Sequence, residues 1–105
     1  MDTVWIRESD GRVFTNTVPD NGTYVLSGGG LDTARPVMLA GRTSSGTASA
    51  QFAATAMGIV SNIGDAVSVG TSGAMWPDEY SLTGGRSVVV SGLGADATVT
   101  IRVFQ

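Results

Sequence analysis

Asp78 and Glu79 stand side by side after Trp76-Pro77, and paired carboxylates can serve as general acid and base or as calcium ligands. Adjacent side chains in a strand diverge to opposite faces, however, and the acidic spacing of an EF-hand loop is absent. The pair therefore reads as a solvated turn. The chain contains no histidine, cysteine or lysine. A Ser/His/Asp triad, a Cys/His pair, a thiolate zinc site, a Walker loop and a Ser-x-x-Lys nucleophile cannot be built from these residues. The expectation is a protein that is not an enzyme, with no catalytic residue, no metal and no organic cofactor.

Trp5, Phe14, Tyr24, Trp76 and Tyr80 are the aromatics to weigh for binding, because such rings stack on sugar faces and Tyr and Trp are favoured at interfaces. The alternative use of the same rings is to fill the core or its rim. Trp5 and Trp76 are the best placed for surface contact, each lying beside a turn or the terminus. Asn21-Gly22-Thr23 has the form of a glycosylation acceptor, but it follows Pro19-Asp20 and reads as turn chemistry.

Composition narrows the class of protein. A chain of 105 residues is one domain in length. Only 14% of residues are charged, against about 25% in typical soluble domains, so Thr, Ser, Gly and Asn must cover the surface. The six arginines are scattered singly in a chain of net charge −3, which does not make the clustered positive footprint of a nucleic-acid binder. No apolar stretch reaches the ~20 residues of a membrane span. The start, Met1 to Arg7, lacks the regions of a signal peptide. The expectation is a soluble protein made in the cytoplasm.

The elements that must position these residues are strands. Val4 to Ser9 and Arg12 to Thr17 flank Asp10-Gly11, a pair suited to a tight hairpin. Pro19-Asp20-Asn21-Gly22 makes a second turn, and Thr23 to Ser27 leaves it as a third strand. Residues 1–27 thus form an N-terminal meander. Gly28-Gly29-Gly30 opens a join over residues 28–34, either flexible or tightly bent, before a core over 35–105. Pro36 to Ala40 reads as a strand. Ala48, Ala50 and Phe52 alternate as the inward face of another, yet Ala48, Phe52 and Ala56 also recur at helical spacing, so strand and short helix both stay open over residues 48–57. Gly58 to Ser61 and Ala66 to Gly70 are short strands. Ser87 to Ser91 and Ala97 to Phe104, joined through Gly92 to Asp96, predict a closing hairpin with Val99, Ile101 and Val103 inward. The fold expected is all-β, an antiparallel β-sandwich or small jelly-roll-like barrel.

Several pieces in order carry a resemblance: Val37-Met38-Leu39-Ala40-Gly41, Gly46 to Gln51, Gly70 to Met75, Tyr80-Ser81-Leu82, Arg86 to Gly92 and Thr98 to Ile101. Over about residues 36–104 this order resembles small bacteriophage virion β-sandwich proteins, of the capsid decoration (cement) or tail and fibre type. The meander from Trp5 to Leu26 lies outside that pattern, and the tryptophan of its middle strand has no counterpart here. The resemblance implies a structural protein of the virion, made in the host cytoplasm. It would bind the outer surface of a phage head, with the major capsid protein, other virion proteins and copies of itself as partners, and neither nucleic acid nor membrane. A terminal strand can dock on a neighbour through its backbone, which makes Thr3, Val4, Trp5 and Ile6, together with Trp76, the candidate interface. The alternative is a non-catalytic carbohydrate-binding or adhesion module, or a tail or fibre component.

Overall fold

The computed structural model describes residues 6–7 and 13–105, and among them there is no helix. In chain order the strands are β1 (Ile6–Arg7), β2 (Val13–Val18), β3 (Gly22–Val25), β4 (Met38–Thr43) and β5 (Ala48–Ala56), then β6 (Ile59–Asn62), β7 (Val67–Val69), β8 (Ala74–Met75), β9 (Arg86–Ser91) and β10 (Val99–Phe104). They form two antiparallel sheets, one ordered β1-β2-β10-β4-β8, the other β3-β9-β5-β6 with β7 also on β5. The protein is an all-β sandwich.

Period-two alternation builds the interior. Phe14 and Val18 on β2, Leu39 on β4, and Val99, Ile101 and Val103 on β10 turn inward from the first sheet. Tyr24, Ala50, Phe52, Val88 and Val90 meet them from the second. One cluster contains all of these with Leu26, Trp76, Tyr80 and Leu82, and the rings of Phe52 and Tyr80 lie 4.3 Å apart between centroids. The inward set expected for β10 is therefore observed, with Thr100 and Arg102 on the opposite face.

Residues 48–57 resolve in favour of the strand. Alanine favours helix on propensity, but β5 pairs with β9 along one side and with β6 and β7 along the other. Two flanking ladders and a buried Ala48, Ala50, Phe52 face outweigh a propensity preference of tenths of a kcal/mol per residue.

The closing hairpin is corrected. β9 and β10 are not paired: β9 lies between β3 and β5, whereas β10 lies between β2 and β4. Residues 92–98 instead arch from one sheet to the other, because Leu93 and Ala97 are buried and pull the connection over the end of the core. The same happens nearer the start. β1 and β2 pair as antiparallel neighbours, with Ile6 opposite Thr15, but β3 joins β9 in the other sheet, so Pro19 to Asn21 is a corner and the three strands are not one meander. The Asp10-Gly11 turn lies outside the described residues. The two corners are tied together: Asn21 Oδ1 accepts from the Leu93 N–H at 2.8 Å, and Asn21 Nδ2 donates to the Leu93 carbonyl at 3.3 Å.

Between β3 and β4 the Gly28-Gly29-Gly30 join is the tightly bent kind, with all three glycines at positive φ. The Leu31 N–H donates to the Gly28 carbonyl at 3.0 Å, and Leu31 is buried beneath the bend. The end of the chain fastens this segment, since Gln105 Nε2 donates to the Asp32 carbonyl at 2.6 Å and Arg35 donates to the Gln105 carbonyl at 2.9 Å.

Candidate functional site

The residues that stand out are at the β5–β6 hairpin. Ala56 pairs with Ile59, leaving Met57 and Gly58 as a two-residue loop with φ of 54° and 74°. Positive φ at both positions is the geometry of a type I′ turn, where Asn-Gly or Gly-Gly is usual. Gly58 adopts it at no steric cost, whereas a side-chain-bearing residue held there costs about 1–2 kcal/mol. Met57 accepts that strain and holds its side chain 98% exposed. Beside it Ile59 is 67% and Val60 43% exposed.

The surroundings of this tip are uncharged. From Thr43 to Gly64 there is no Asp, Glu, Lys or Arg. β6 is an edge strand with all four residues exposed, and proteins usually blunt such edges with charge, proline or a bulge. β6 itself carries no charge and no proline. The base of the hairpin is well anchored: the Thr55 N–H donates to the Gly85 carbonyl at 3.1 Å, the Thr55 hydroxyl meets Ser87 Oγ at 2.9 Å, and the Ile63 N–H donates to the Phe52 carbonyl at 2.8 Å. An apolar tip on a rigid base is suited to contact with another protein surface.

A second feature lies on the outer face of the first sheet. Ala40, Arg42, Thr100, Arg102, Ser72 and Met75 line a concavity of about 410 Å³. Register places Arg42 opposite Thr100 and Arg102 opposite Ala40, so the two guanidinium-bearing side chains are diagonal neighbours on one face. Thr100 Oγ1 lies 2.9 Å from Thr17 Oγ1, and Arg102 already has a partner. Chemically the concavity combines the hydrogen-bonding groups of Arg42, Arg102, Ser72 and Thr100 with apolar Ala40 and Met75.

The residues singled out from sequence are placed as follows. Thr3, Val4 and Trp5 lie outside the described residues. Ile6 begins β1 at the edge of the first sheet. Trp76 is corrected: it is 1% exposed and belongs to the core. Its N–H donates to the Leu39 carbonyl at 2.9 Å, which fixes the backbone against β4, and the indole fills the space left by Gly41, where an added Cβ would sit 3.6 Å from Trp76 Cζ3. The indole Nε1 is buried without a hydrogen-bond partner. Phe14, Tyr24 and Tyr80 are likewise buried, because each sits at an inward position, so these rings form no platform for a sugar. Burial raises the hydroxyl pKa of Tyr24 and Tyr80; the Asp20 charge adds to the first while the hydrogen bond to the Asp20 carbonyl opposes it, and the charges of Asp78 and Asp65 add to the second.

Asp78 and Glu79 are exposed in the turn before Tyr80, and among the described residues no three metal-ligating side chains converge. Asn21 is engaged with Leu93, which gives its turn a structural use. No helix among the described residues is long and apolar enough to cross a membrane. The sequence reading passed over the hairpin tip; its signals were the adjacent Ile59-Val60 after a Met-Gly turn and the charge-free stretch around them.

Fold and site together define a β-sandwich with an apolar, uncharged edge hairpin. Comparison with protein-family models, with curated proteins and with solved structures gives no match to this chain.

Proposed function

We propose that this chain is a non-enzymatic structural protein that works by binding neighbours in a large assembly, and specifically that it decorates the outer surface of a phage head. The observation that carries the reading is the β5–β6 hairpin. It offers Met57, Ile59 and Val60 to a partner from a base held by both flanking ladders. Burying an apolar side chain of this size contributes about 1.5–3 kcal/mol, a modest amount per contact. On a lattice the effect accumulates, because binding that spans several subunits gains from effective concentration and stabilises the bound state by mass action. The low charge and hydroxyl-rich composition suit close packing more than long-range steering. The N-terminal residues Thr3, Val4, Trp5 and Ile6 form a second contact in this proposal, and the virion is where the protein acts.

The test uses undecorated heads mixed with wild-type protein, with a Met57→Asp/Ile59→Asp double variant, and with a version lacking residues 2–7. Each mixture is sedimented and heated. Wild type is expected to cosediment with the heads and raise their disruption temperature, and the double variant to lose most of both effects. Wild type that does neither overturns the decoration role. A double variant equal to wild type removes the hairpin from it, and an unaltered truncated form removes only the N-terminal contact.

A further inference from the structure

We propose that two copies of this chain join edge to edge, pairing their β6 strands antiparallel about a two-fold axis at Ser61, so that the second sheet continues from one molecule into the next. The inference rests on the reading of the β5–β6 hairpin as a contact surface and names the partner of its strand edge.

The backbone directions follow from the ladder. The Ile63 N–H donates to the Phe52 carbonyl across to β5, and polar groups alternate in direction along an antiparallel strand. Ser61 and Ile59 therefore also direct their backbone groups toward β5, while Val60 and Asn62 direct theirs away from it. The Thr55 N–H supports the same phase, since it turns away from its cross-strand partner Val60 and bonds Gly85 instead. The open edge thus presents two N–H groups and two carbonyls, one pair from Val60 and one from Asn62, on either side of Ser61.

That arrangement is complementary to itself. A two-fold axis at Ser61 sets Val60 of one copy opposite Asn62 of the other, twice, and every donor on the edge meets an acceptor. The two Ser61 residues then form a non-hydrogen-bonded pair, where α-carbons approach to about 4.5 Å, and a serine side chain is small enough for it. Charge points to the same partner. A charged partner finds no complement between Thr43 and Gly64, whereas a second copy brings an equally neutral strand and keeps the net charge of −3 out of the seam. An isologous contact of this kind closes at two copies. With four backbone bonds and a few side chains, it falls below the roughly 1,200 Å² of standard stable complexes, so the dimer is weak in dilute solution and is reinforced wherever copies are held side by side.

The full chain is examined by sedimentation velocity over a concentration series, with amide hydrogen exchange at low and high concentration. Wild type is expected to move from monomer toward dimer as concentration rises, with the Val60 and Asn62 amides gaining protection. Val60→Pro removes an outward N–H and none of the bonds to β5, and Ile59→Lys adds an edge charge; both are expected to stay monomeric. Met75→Lys, on an edge strand of the other sheet, is expected to dimerise as wild type does. A wild type that remains monomeric throughout overturns the proposal, as does a dimer unaffected by both β6 changes. Monomeric wild type that still cosediments with phage heads leaves the decoration reading standing and removes only the strand pairing.

Discussion

Gly28 and Gly85 share a φ of 82° but differ in what surrounds them, and this makes a controlled pair of substitutions. An added Cβ at Gly28 meets nothing within 4 Å, whereas at Gly85 it would lie 2.6 Å from the Thr55 carbonyl oxygen. Gly28→Ala therefore reports the left-handed backbone alone. That costs about 1–2 kcal/mol, offset by about 0.4–1 kcal/mol from the lower entropy of the unfolded chain, for a net loss near 1 kcal/mol. Gly85→Ala carries the same backbone cost plus a clash with backbone that cannot rotate aside. Relieving it moves β5 from β9, at about 1–3 kcal/mol for overpacking, and strains the Thr55 to Gly85 hydrogen bond, worth about 1 kcal/mol. The expected loss is about 3–5 kcal/mol. With about 4–8 °C per kcal/mol for a domain of this size, Gly28→Ala should lower Tm by roughly 5 °C and Gly85→Ala by 15 °C or more. Urea unfolding checks the free energies directly. Equal losses for the two variants would refute the close approach of Gly85 to β5, and with it the anchoring of the hairpin base.

Ile101→Asp places a lone carboxylate in the core beside Val99 and Val103 and should cost about 4 kcal/mol or more. Thr100→Asp faces the side of the sheet that carries Arg42 and should stay within about 1 kcal/mol of wild type; circular dichroism melts that rank the two equally would contradict the inward face of β10. The pH dependence has a definite sign. Tyr24 and Tyr80 titrate above their ordinary value of 10.0 in the fold, chiefly through burial, so the fold favours the protonated hydroxyls. Their contribution is complete below the unfolded value and is lost as pH rises through the folded ones. Urea midpoints should fall above about pH 10 as phenolate absorbance grows, and Tyr80→Phe should flatten part of that fall; midpoints that hold steady while both hydroxyls ionise would show that burial does not raise them.

The strands were legible in the sequence where a single face is buried. Val99, Ile101 and Val103 alternate so regularly with Thr100 and Arg102 that the inward set could be read directly, and the buried positions confirm it. What the chain does between strands was not legible. Gly92 to Asp96 looks like a hairpin turn, but pairing is decided by which strands fit on each side of β9 and β10, and those partners come from β3, β5, β2 and β4, far away in sequence. Turn chemistry signals a reversal and is silent on whether the chain stays in its sheet. The same limit misled the reading of Trp76. Standing before Pro77 it looked exposed, yet the space over Gly41 that its ring occupies exists only after β4 and β8 have come together.

Alternation, positive-φ glycines and core support the same sandwich over most of this molecule, and departures from local rules gather mainly where function requires them. Three departures coincide at one tip. Met57 occupies a conformation that suits Asn or Gly, Met57, Ile59 and Val60 keep apolar surface in water, and β6 leaves an edge with neither charge nor proline. In the isolated chain each is unfavourable, and each has an inexpensive local remedy: Asn at 57, Lys or Thr at 59 and 60. The core gives no reason for the present residues, because the hairpin tip stands beyond it and a polar turn would close β5 on β6 equally well. A partner resolves all three at once. It would cover the apolar side chains, satisfy the outward Val60 and Asn62 groups, and offset the strain of Met57 with contacts that only a long, flexible side chain held at the apex can reach.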